Sequence, residues 1–431
     1  MNKLTVDFTR TVGPVKPMHG VGQPPFKGID FSMCDYLREA HIPYSRLHDV
    51  GGAYGRNVFV DIPNLFRDFS ADVNDPASYD FAFTDLLITA LAERGIEPFF
   101  RLGVTIENFS HINAYNIYPP KDNQKWAEIC EHVIRHYTEG WAEGFHYKIT
   151  YWEIWNEPEN HEDPMRNRMW RGTAEEYFKL YEVASKHLKA KFPHLKIGGY
   201  ASCGFYALTN GTSHYAACTP RHEYFLEYFT RFLEYVKAHN CPFDFYSWHS
   251  YSDINANTIW ADYVRKKLDE YGYTETEHTL NEWNCHPELK GTVTHAALSG
   301  GMLIAMHRTT LDSAMFYDAR YGIGDYAGMF HSMDGAPLPT YYSFKAFGEL
   351  YHRGIEVYTS EMPENTYAMA AKGEDGCLML VNTDSEPIPL KLEVIGAEKI
   401  KYCKIVKEDA VWEDFNFEDQ LPAESVLLIQ F

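Results

Sequence analysis

Two glutamates have the sequence surroundings of reactive carboxyl groups, because each follows a short apolar run and has polar neighbours. Glu157 lies in WNEPE at 155–159, and Glu282 lies in NEW at 281–283. Trp, Asn, Glu and Pro together at the end of an apolar run are improbable by chance, whereas NEW alone is a weak signal. The two glutamates are about 125 residues apart, close to three repeats of a strand followed by a helix.

Paired carboxyl groups that face each other across a substrate are suited to cleaving a glycosidic bond. One must be protonated to donate to the leaving oxygen, and the other must be ionised to attack the sugar or to activate water. Mutual repulsion and partial burial would separate their pKa values. Asn156 precedes Glu157, and its amide is suited to a hydroxyl beside the reacting carbon. Charge alone does not assign the two roles.

Both glutamates are predicted to end strands of an α/β fold, a (β/α)8 barrel. The candidate strands end near Gly20, His48, Arg101, Asn156, Gly199, His249, Glu282 and Asp318. Most of these ends recur about every 45 residues, which leaves room for a strand, a helix and loops in each repeat. Apolar residues at helical spacing predict helices, for example over 177–192 and 224–239. A doubly wound open sheet is the alternative, but its Gly-rich first turn is missing from the sequence.

The pattern changes after a helix predicted over 341–353. The segments AMAAK, CLMLVN, LKLEVI and SVLLIQF read as short strands separated by turn clusters, with no helical period between them. We therefore predict a catalytic barrel over 15–350 and a small accessory β-sandwich over 351–431, to which residues 1–14 contribute a strand.

Charge and cysteine content limit the classes of partner. The chain has 431 residues, of which 60 are acidic and 39 basic, for a formal net charge of −21. This charge argues against binding to nucleic acid, whose phosphates Lys and Arg must neutralise, and against an anionic membrane surface. Eight cysteines scattered singly argue against a disulfide framework. The N-terminus has no apolar signal segment, so we expect a cytoplasmic protein, which could form a homo-oligomer.

The chain resembles clan A glycoside hydrolases and is most similar to glycoside hydrolase family 39, the family of β-xylosidases and α-L-iduronidases. Four motifs carry the resemblance: RLH (46–48), WNEPE (155–159), HSY (249–251) and NEW (281–283). The resemblance implies that Glu157 is the general acid/base and Glu282 the nucleophile of a retaining enzyme, with carboxyl groups about 5–5.5 Å apart. It also implies an exo-acting, β-xylosidase-like activity on oligosaccharides or glycosides, without a metal or other cofactor.

The same resemblance implies a set of substrate contacts. His48 would touch the sugar at the cleavage subsite, and Tyr251 would hydrogen-bond the nucleophile or the sugar ring, with His249 beside it on the same strand. Asn156 would bind the hydroxyl next to the reacting carbon. Apart from the resemblance, Trp283 could form a stacking wall for the apolar face of the sugar or could be a core residue under the rim.

The chain departs from the family pattern on the eighth strand. Its sequence there is MFYDARYGIGDY (315–326), where the xylosidases carry a Trp-rich strand followed by adjacent glutamates that bind sugar hydroxyls. Asp318 could replace one of those carboxylates. Arg320 could bind a substrate carboxylate or form an ion pair at the rim. Arg101 stands where we expect an acidic residue, so these differences leave the sugar specificity open.

Three other functions are weighed. A related clan A glycosidase with another specificity (arabinosidase, galactosidase, iduronidase or endoglycanase) differs only in its substrate. A metal-dependent hydrolase would need motifs such as HxH or HExxH, which the sequence lacks. A carbohydrate-binding protein with little activity has no chemical reason to keep both carboxylates. The loops 105–125 and 201–221, which include Asn108, His111, Tyr115, Tyr206 and His214, are expected to decide between pocket and cleft.

Overall fold

The computed structural model describes residues 2–50, 60–106, 116–209, 218–397 and 399–431. Four of the predicted loop residues, Asn108, His111, Tyr115 and His214, lie outside the described residues. The described chain forms a closed barrel of parallel strands and a second sheet of nine strands.

Eight parallel strands close the barrel, after a first strand, β1 (Asn2–Pro14), that belongs to the second sheet. The barrel strands are β2 (Gly20–Gly22), β3 (Tyr44–Leu47), β4 (Glu97–Leu102), β5 (Tyr151–Ile154), β6 (Lys196–Ser202), β7 (Phe245–Ser250), β8 (Glu277–Trp283) and β9 (Ser313–Phe316). Strand β9 pairs with β2 and closes the ring. Every barrel strand ends within a few residues of its predicted end, so the predicted fold class is confirmed.

Helices surround the barrel. In the described residues they are α1 (Cys34–Glu39), α2 (Ile62–Leu65), α3 (Ala82–Ala92), α4 (Asn123–Thr138), α5 (Ala174–Lys191), α6 (Pro220–Ala238), α7 (Ile254–Glu270), α8 (Val293–His307) and α9 (Pro339–Arg353). Helix α5 shows how the sequence starts such an element. Thr173 and Glu176 form a capping box in which each side chain accepts from the other residue's backbone N–H, and a stripe including Tyr177 and Leu188 is buried.

The interior of the barrel changes from apolar to charged along the strands. Near the N-terminal ends, Phe99, Phe245 and Met315 form a small apolar cluster without solvent exposure. Arg46 and Glu153, which lie further along β3 and β5, are also buried inside the barrel. Because an unpaired buried charge is strongly destabilising, the upper half of the barrel must be built from polar side chains that satisfy one another.

The second sheet follows the barrel. Its strands after β1 are β10 (Ile355–Thr359), β11 (Thr366–Lys372), β12 (Gly376–Asn382), β13 (Ile388–Ile395), β14 (Tyr402–Lys407), β15 (Ala410–Asp414), β16 (Gln420–Leu421) and β17 (Ser425–Gln430). Their order is β15-β14-β17-β12-β11-β10-β1-β13-β16. Strand β1 lies between β10 and β13, and therefore ties the start of the chain to its end.

This sheet curls around a core of its own and packs its outer face on the barrel. Leu378 and Leu380 of β12 belong to the inner core, whereas the alternate residues Met379 and Val381 belong to the barrel core. Gly300 of α8 permits this contact, because a Cβ there would lie 3.2 Å from both Met379 and Val381. The accessory β unit is thus one continuous curled sheet. The exact limits of the two predicted units stay a prediction.

The eight cysteines all lie in the described residues and are free thiols. No helix in the described part of the chain has both the length and the apolar character needed to cross a membrane.

Candidate active site

Glu157 lies in the turn that follows β5, and two residues of this turn have left-handed backbones. The φ angles of Trp155 and Glu157 are 72° and 44°. Such angles are uncommon for residues with a side chain, and they persist where the surrounding structure enforces them. The backbone N–H of Glu157 donates to the carbonyl oxygen of Ala201 at 3.0 Å, which fastens the turn to β6.

Glu282 reaches the barrel mouth because β8 carries a β-bulge. The register between β7 and β8 pairs Trp248 with Leu280 and then His249 with Glu282, so Asn281 has no opposite residue. A bulge re-aims the side chains that follow it. Asn281 and Glu282 consequently both contact groups inside the barrel, although they are consecutive in a strand.

The two carboxyl groups meet at His249. Its Nδ1 lies 2.9 Å from Oε1 of Glu157, and its Nε2 lies 3.7 Å from Oε2 of Glu282. One oxygen from each glutamate and one ring nitrogen all lie within 4.8 Å of one another. Asn160 Nδ2 donates to the second oxygen of Glu157 at 2.8 Å. The structure therefore brings together the two glutamates that the sequence singles out.

Arg46, at 1% exposure, connects Glu282 to the barrel interior. Its Nη1 donates to Oε2 of Glu282 at 3.0 Å, and its Nε and Nη2 donate to Oε2 of Glu153 at 3.0 and 2.7 Å. Asn281 Nδ2 donates to the other oxygen of Glu153 at 2.5 Å. Burial alone would lower the pKa of Arg46, but the two carboxylates outweigh it and raise that pKa. Arg46 is thus a permanent cation beside Glu282.

Two further predicted residues complete the surroundings of the pair. Nη2 of Arg46 donates to Oδ1 of Asn156 at 2.6 Å, which orients the amide and leaves its NH2 group as the donor for a ligand. The hydroxyl of Tyr251 donates to Oε1 of Glu282 at 2.5 Å. Burial and the charge of Glu282 hold the pKa of Tyr251 well above its ordinary value, so the hydroxyl stays protonated and can donate.

The two acidic residues of WNEPE differ in ionisation. Burial raises the pKa of Glu157, but hydrogen bonds from His249 and Asn160 and the charge of His249 outweigh burial and leave that pKa below its ordinary value. Glu159 has no exposed surface, and burial together with the charge of Glu157 raises its pKa to about 7. One oxygen of Glu159 accepts from the backbone N–H of Cys203 at 2.6 Å.

His48 lies at the mouth, and its Nδ1 is occupied by a protein donor. Arg101 donates from Nε to Nδ1 of His48 at 3.1 Å, and Nε2 of His48 lies 3.2 Å from Oδ1 of Asp49. Burial and the charge of Arg101 hold the pKa of His48 well below its ordinary value, so the ring is neutral. Arg101, which stands where we expect an acidic residue, is itself paired with Asp61 at 2.6 Å.

Two of the predicted substrate contacts are enclosed by other protein groups. Trp283 is 1% exposed and stacks on Phe344 of α9, with ring centroids 6.0 Å apart. The bulge that turns Glu282 inward turns the next residue outward, which is why Trp283 is a core residue and forms no stacking wall. Asp318 has no exposed surface, and Arg320 donates to its Oδ2 from Nε at 2.8 Å and from Nη2 at 2.6 Å. Asp318 and Arg320 therefore form the rim ion pair.

Several residues of the site receive no role from the sequence. They are Gln23, Arg46, Asp49, Glu153, Asn160, Tyr317 and Tyr326. Arg46 opens the RLH motif and Asp49 directly follows it, and both could have been found as polar residues at a strand end. Glu153, two residues before WNEPE, could have been found as an acidic residue in an otherwise apolar strand.

A bound cation is disfavoured at this site. Glu157, His249 and Glu282 offer the spacing of metal ligands in the part of the chain that the structure describes. However, the guanidinium of Arg46 lies 3.0 Å from Glu282 and repels a metal ion at that position.

We expect the fold to lose much of its stability when one side of the Arg46 network is removed. Arg46→Met leaves two carboxylates buried without a cation and should lower the free energy of unfolding by about 3–5 kcal/mol. Arg46→Met combined with Glu153→Gln should recover part of that loss, because one buried charge is removed. Urea unfolding at neutral pH measures both, with the exposed Arg38→Met as control. Equal stability of the Arg46 and Arg38 variants would contradict the network.

Comparisons with known proteins show what the chain is similar to. A β-xylosidase from Geobacillus stearothermophilus is 24% identical over 356 residues, which cover 73% of this chain and 66% of that protein. The aligned chain thus spans about two thirds of the relative's length. A glucosidase from Croceicoccus marinus matches with a TM-score of 0.82 at 22% identity, covering 100% of this chain and 98% of that one. A monomeric β-xylosidase from Caulobacter crescentus CB15 matches with a TM-score of 0.70 at 17% identity, covering 100% and 99%.

The sequence identities of the structural matches are low, so these matches show the fold alone. The family is shown by a sequence model described as Glycosyl hydrolases family 39, which matches residues 44–287 and so includes both Glu157 and Glu282. This range is more than half of the chain. The protein is a glycosidase, and it belongs to glycosyl hydrolase family 39.

Proposed function

We propose that this glycosidase cleaves its substrate by double displacement, with retention at the anomeric carbon. The observation that carries the proposal is the short distance between the two carboxyl groups, one oxygen of each lying within 4.8 Å of the other. Retaining enzymes hold their carboxyl groups about 5–5.5 Å apart, whereas inverting enzymes leave about 6.5–9.5 Å for a water molecule between them.

In the first step Glu282 attacks the anomeric carbon and forms a covalent bond to the sugar. Arg46 and Tyr251 donate to its two oxygens, and so hold the carboxyl group in position. Glu157 donates its proton to the leaving oxygen. Asn156, oriented by Arg46, offers its NH2 group to the hydroxyl beside the reacting carbon.

In the second step water attacks the glycosyl-enzyme, and Glu157 acts as the base that removes its proton. Once the carboxylate of Glu282 is esterified, its negative charge no longer opposes ionisation of Glu157. The low pKa of Glu157 in the free protein favours this second role. The first step requires the protonated form, and the negative charge of Glu282 beside a bound substrate favours that form.

We propose a β-xylosidase-like specificity for the non-reducing end of a neutral glycoside. The β-xylosidase from Geobacillus stearothermophilus supports this assignment, at 24% identity. The pairing of Arg320 with Asp318 also supports it, because this arginine is not free to bind the carboxylate of a uronate. A β-glucoside is the second candidate, since the structure with the TM-score of 0.82 is that of a glucosidase.

A panel of nitrophenyl glycosides tests the activity and names the sugar. It should contain β-xyloside, β-glucoside, β-galactoside, α-L-arabinoside and α-L-iduronide. We expect the β-xyloside to be cleaved fastest and Glu282→Gln to reduce its cleavage to background. Glu157→Ala should lose about 10²–10⁴-fold on glycosides with poor leaving groups, and much less on an activated aryl glycoside.

The exposed Glu270→Gln is the matched control and should keep the wild-type rate. Wild-type rates in Glu157→Ala or Glu282→Gln would refute the assignment of the pair. Fast cleavage of another glycoside with a slow β-xyloside would replace the proposed specificity and leave the mechanism in place.

The pH dependence tests the contact between His249 and Glu157. A general acid works in its protonated form, so kcat/KM falls as pH rises through its pKa. His249→Ala removes a donor that lowers the pKa of Glu157, so this fall should move to higher pH, by about 1 unit for a charge-assisted hydrogen bond. His249→Asn, which keeps an amide donor, should move it less. A fall that stays in place or moves to lower pH in His249→Ala would contradict the assignment.

A further inference from the structure

Polar side chains from the ends of β2, β3 and β9 meet on one side of the mouth. The hydroxyl of Tyr317 accepts from Nε2 of Gln23 at 2.6 Å and donates to Oδ2 of Asp49 at 3.1 Å. His48 lies 3.2 Å from the other oxygen of Asp49. These four residues, Gln23, His48, Asp49 and Tyr317, are called the Asp49 corner below.

The direction of the hydrogen bonds decides which residue of the corner faces a ligand as an acceptor. Arg101 can only donate, so Nδ1 of His48 accepts, and the single ring proton of the neutral imidazole is on Nε2. Nε2 lies 3.2 Å from Oδ1 of Asp49. His48 therefore has no acceptor left for a ligand, and the acceptor of the corner is Asp49.

Asp49 keeps some capacity to accept another hydrogen bond. It accepts from the hydroxyl of Tyr317 at 3.1 Å and from the backbone N–H of Ile106 at 3.3 Å, and Nε2 of His48 lies 3.2 Å from it. An ionised carboxylate has about four acceptor positions. The side chain is 13% exposed, and the φ angle of Asp49 is 54°, a left-handed conformation imposed by its surroundings. Burial and the charge of Glu282 raise the pKa of Asp49 to about 6.

The eighth strand of the barrel, β9, does not supply a carboxylate acceptor on this side of the mouth. Asp318 is the carboxylate there, but it has no exposed surface and is bound by Arg320 from Nε and Nη2. The strand instead contributes the hydroxyl of Tyr317, which is held by Gln23 and directed to Asp49. A sugar that reaches this side of the mouth meets one available carboxylate in the described residues, that of Asp49.

We infer that Asp49 is a specificity-determining residue that binds the 3- or 4-hydroxyl of a neutral sugar in the cleavage subsite, while Tyr317 and Gln23 hold it in place. The inference rests on the proposed function, which puts the anomeric carbon between Glu157 and Glu282 and the 2-hydroxyl at Asn156. The hydroxyls further round the ring are then the ones within reach of the Asp49 corner. A uronate is excluded from this position, because its carboxylate would face Asp49 and find Arg320 already paired.

The test combines protein variants with deoxy substrates. Asp49→Asn keeps the shape of the side chain and loses its charge, and it should lower kcat/KM about 10- to 100-fold for the glycoside that the wild type cleaves fastest. Either the 3-deoxy or the 4-deoxy form of that glycoside should show a similar loss with the wild type. For Asp49→Asn, kcat/KM on that analogue should then be only slightly lower than on the parent glycoside, because the contact is already missing. The 2-deoxy form should lower kcat/KM as much for Asp49→Asn as for the wild type. The exposed Asp414→Asn is the matched control.

The inference is overturned if the loss caused by Asp49→Asn and the loss caused by each deoxy analogue simply multiply, because a merely structural role of Asp49 predicts such independent losses. Should Asp49→Asn fail to fold, the wild type decides alone: equal cleavage of the parent, 3-deoxy and 4-deoxy glycosides overturns it. Tyr317→Phe, which removes a donor to Asp49, should show a smaller loss on the parent glycoside, and that loss should disappear on the same analogue. A wild type that cleaves no glycoside of the panel would refute the proposed function itself, and the inference with it.

Discussion

The guanidinium of Arg46 is the interaction on which the rest of the site depends. It is buried inside the barrel, where a single cation must satisfy two carboxylates from different strands, Glu153 and Glu282. The same group orients Asn156. Since a charge in this position is stable only when its partners are in place, the barrel core and the nucleophile form one structural unit. The site is therefore preorganised by the fold itself, before any substrate is bound.

The charged upper half of the barrel explains how the carboxyl groups acquire different properties at short range. Glu282 receives donors from Arg46 and Tyr251. Glu157 receives donors from His249 and Asn160, which outweigh the effect of burial and leave its pKa below the ordinary value. The two carboxyl groups therefore have separate hydrogen-bond partners, although one oxygen of each lies within 4.8 Å of the other. Separate partners suit a pair in which one group must attack the sugar and the other must first donate and then accept a proton.

Much of the fold and the core of the site could be predicted from the sequence, because both depend on spacing. The eight strand ends recur at regular intervals, and Glu157 and Glu282 each end one of them. The position of Trp283 could not be predicted, because the bulge at Asn281 reverses the side-chain alternation of β8 and leaves no mark in the sequence. The contacts of Arg46 and Asp49 were also beyond reach, since they join strands that are distant in the chain. The pairing of Asp318 with Arg320, only two residues away, was one of the two predicted alternatives.

The most direct test of the account is to locate the covalent intermediate. The protein would be incubated with 2,4-dinitrophenyl 2-deoxy-2-fluoro-β-xyloside, or with the corresponding derivative of whichever sugar it cleaves fastest, and its peptides analysed by mass spectrometry. The account predicts one fluoroglycosyl group per chain, attached to Glu282. A group attached to any other residue, or hydrolysis of the parent glycoside with inversion and no labelled peptide, would contradict it.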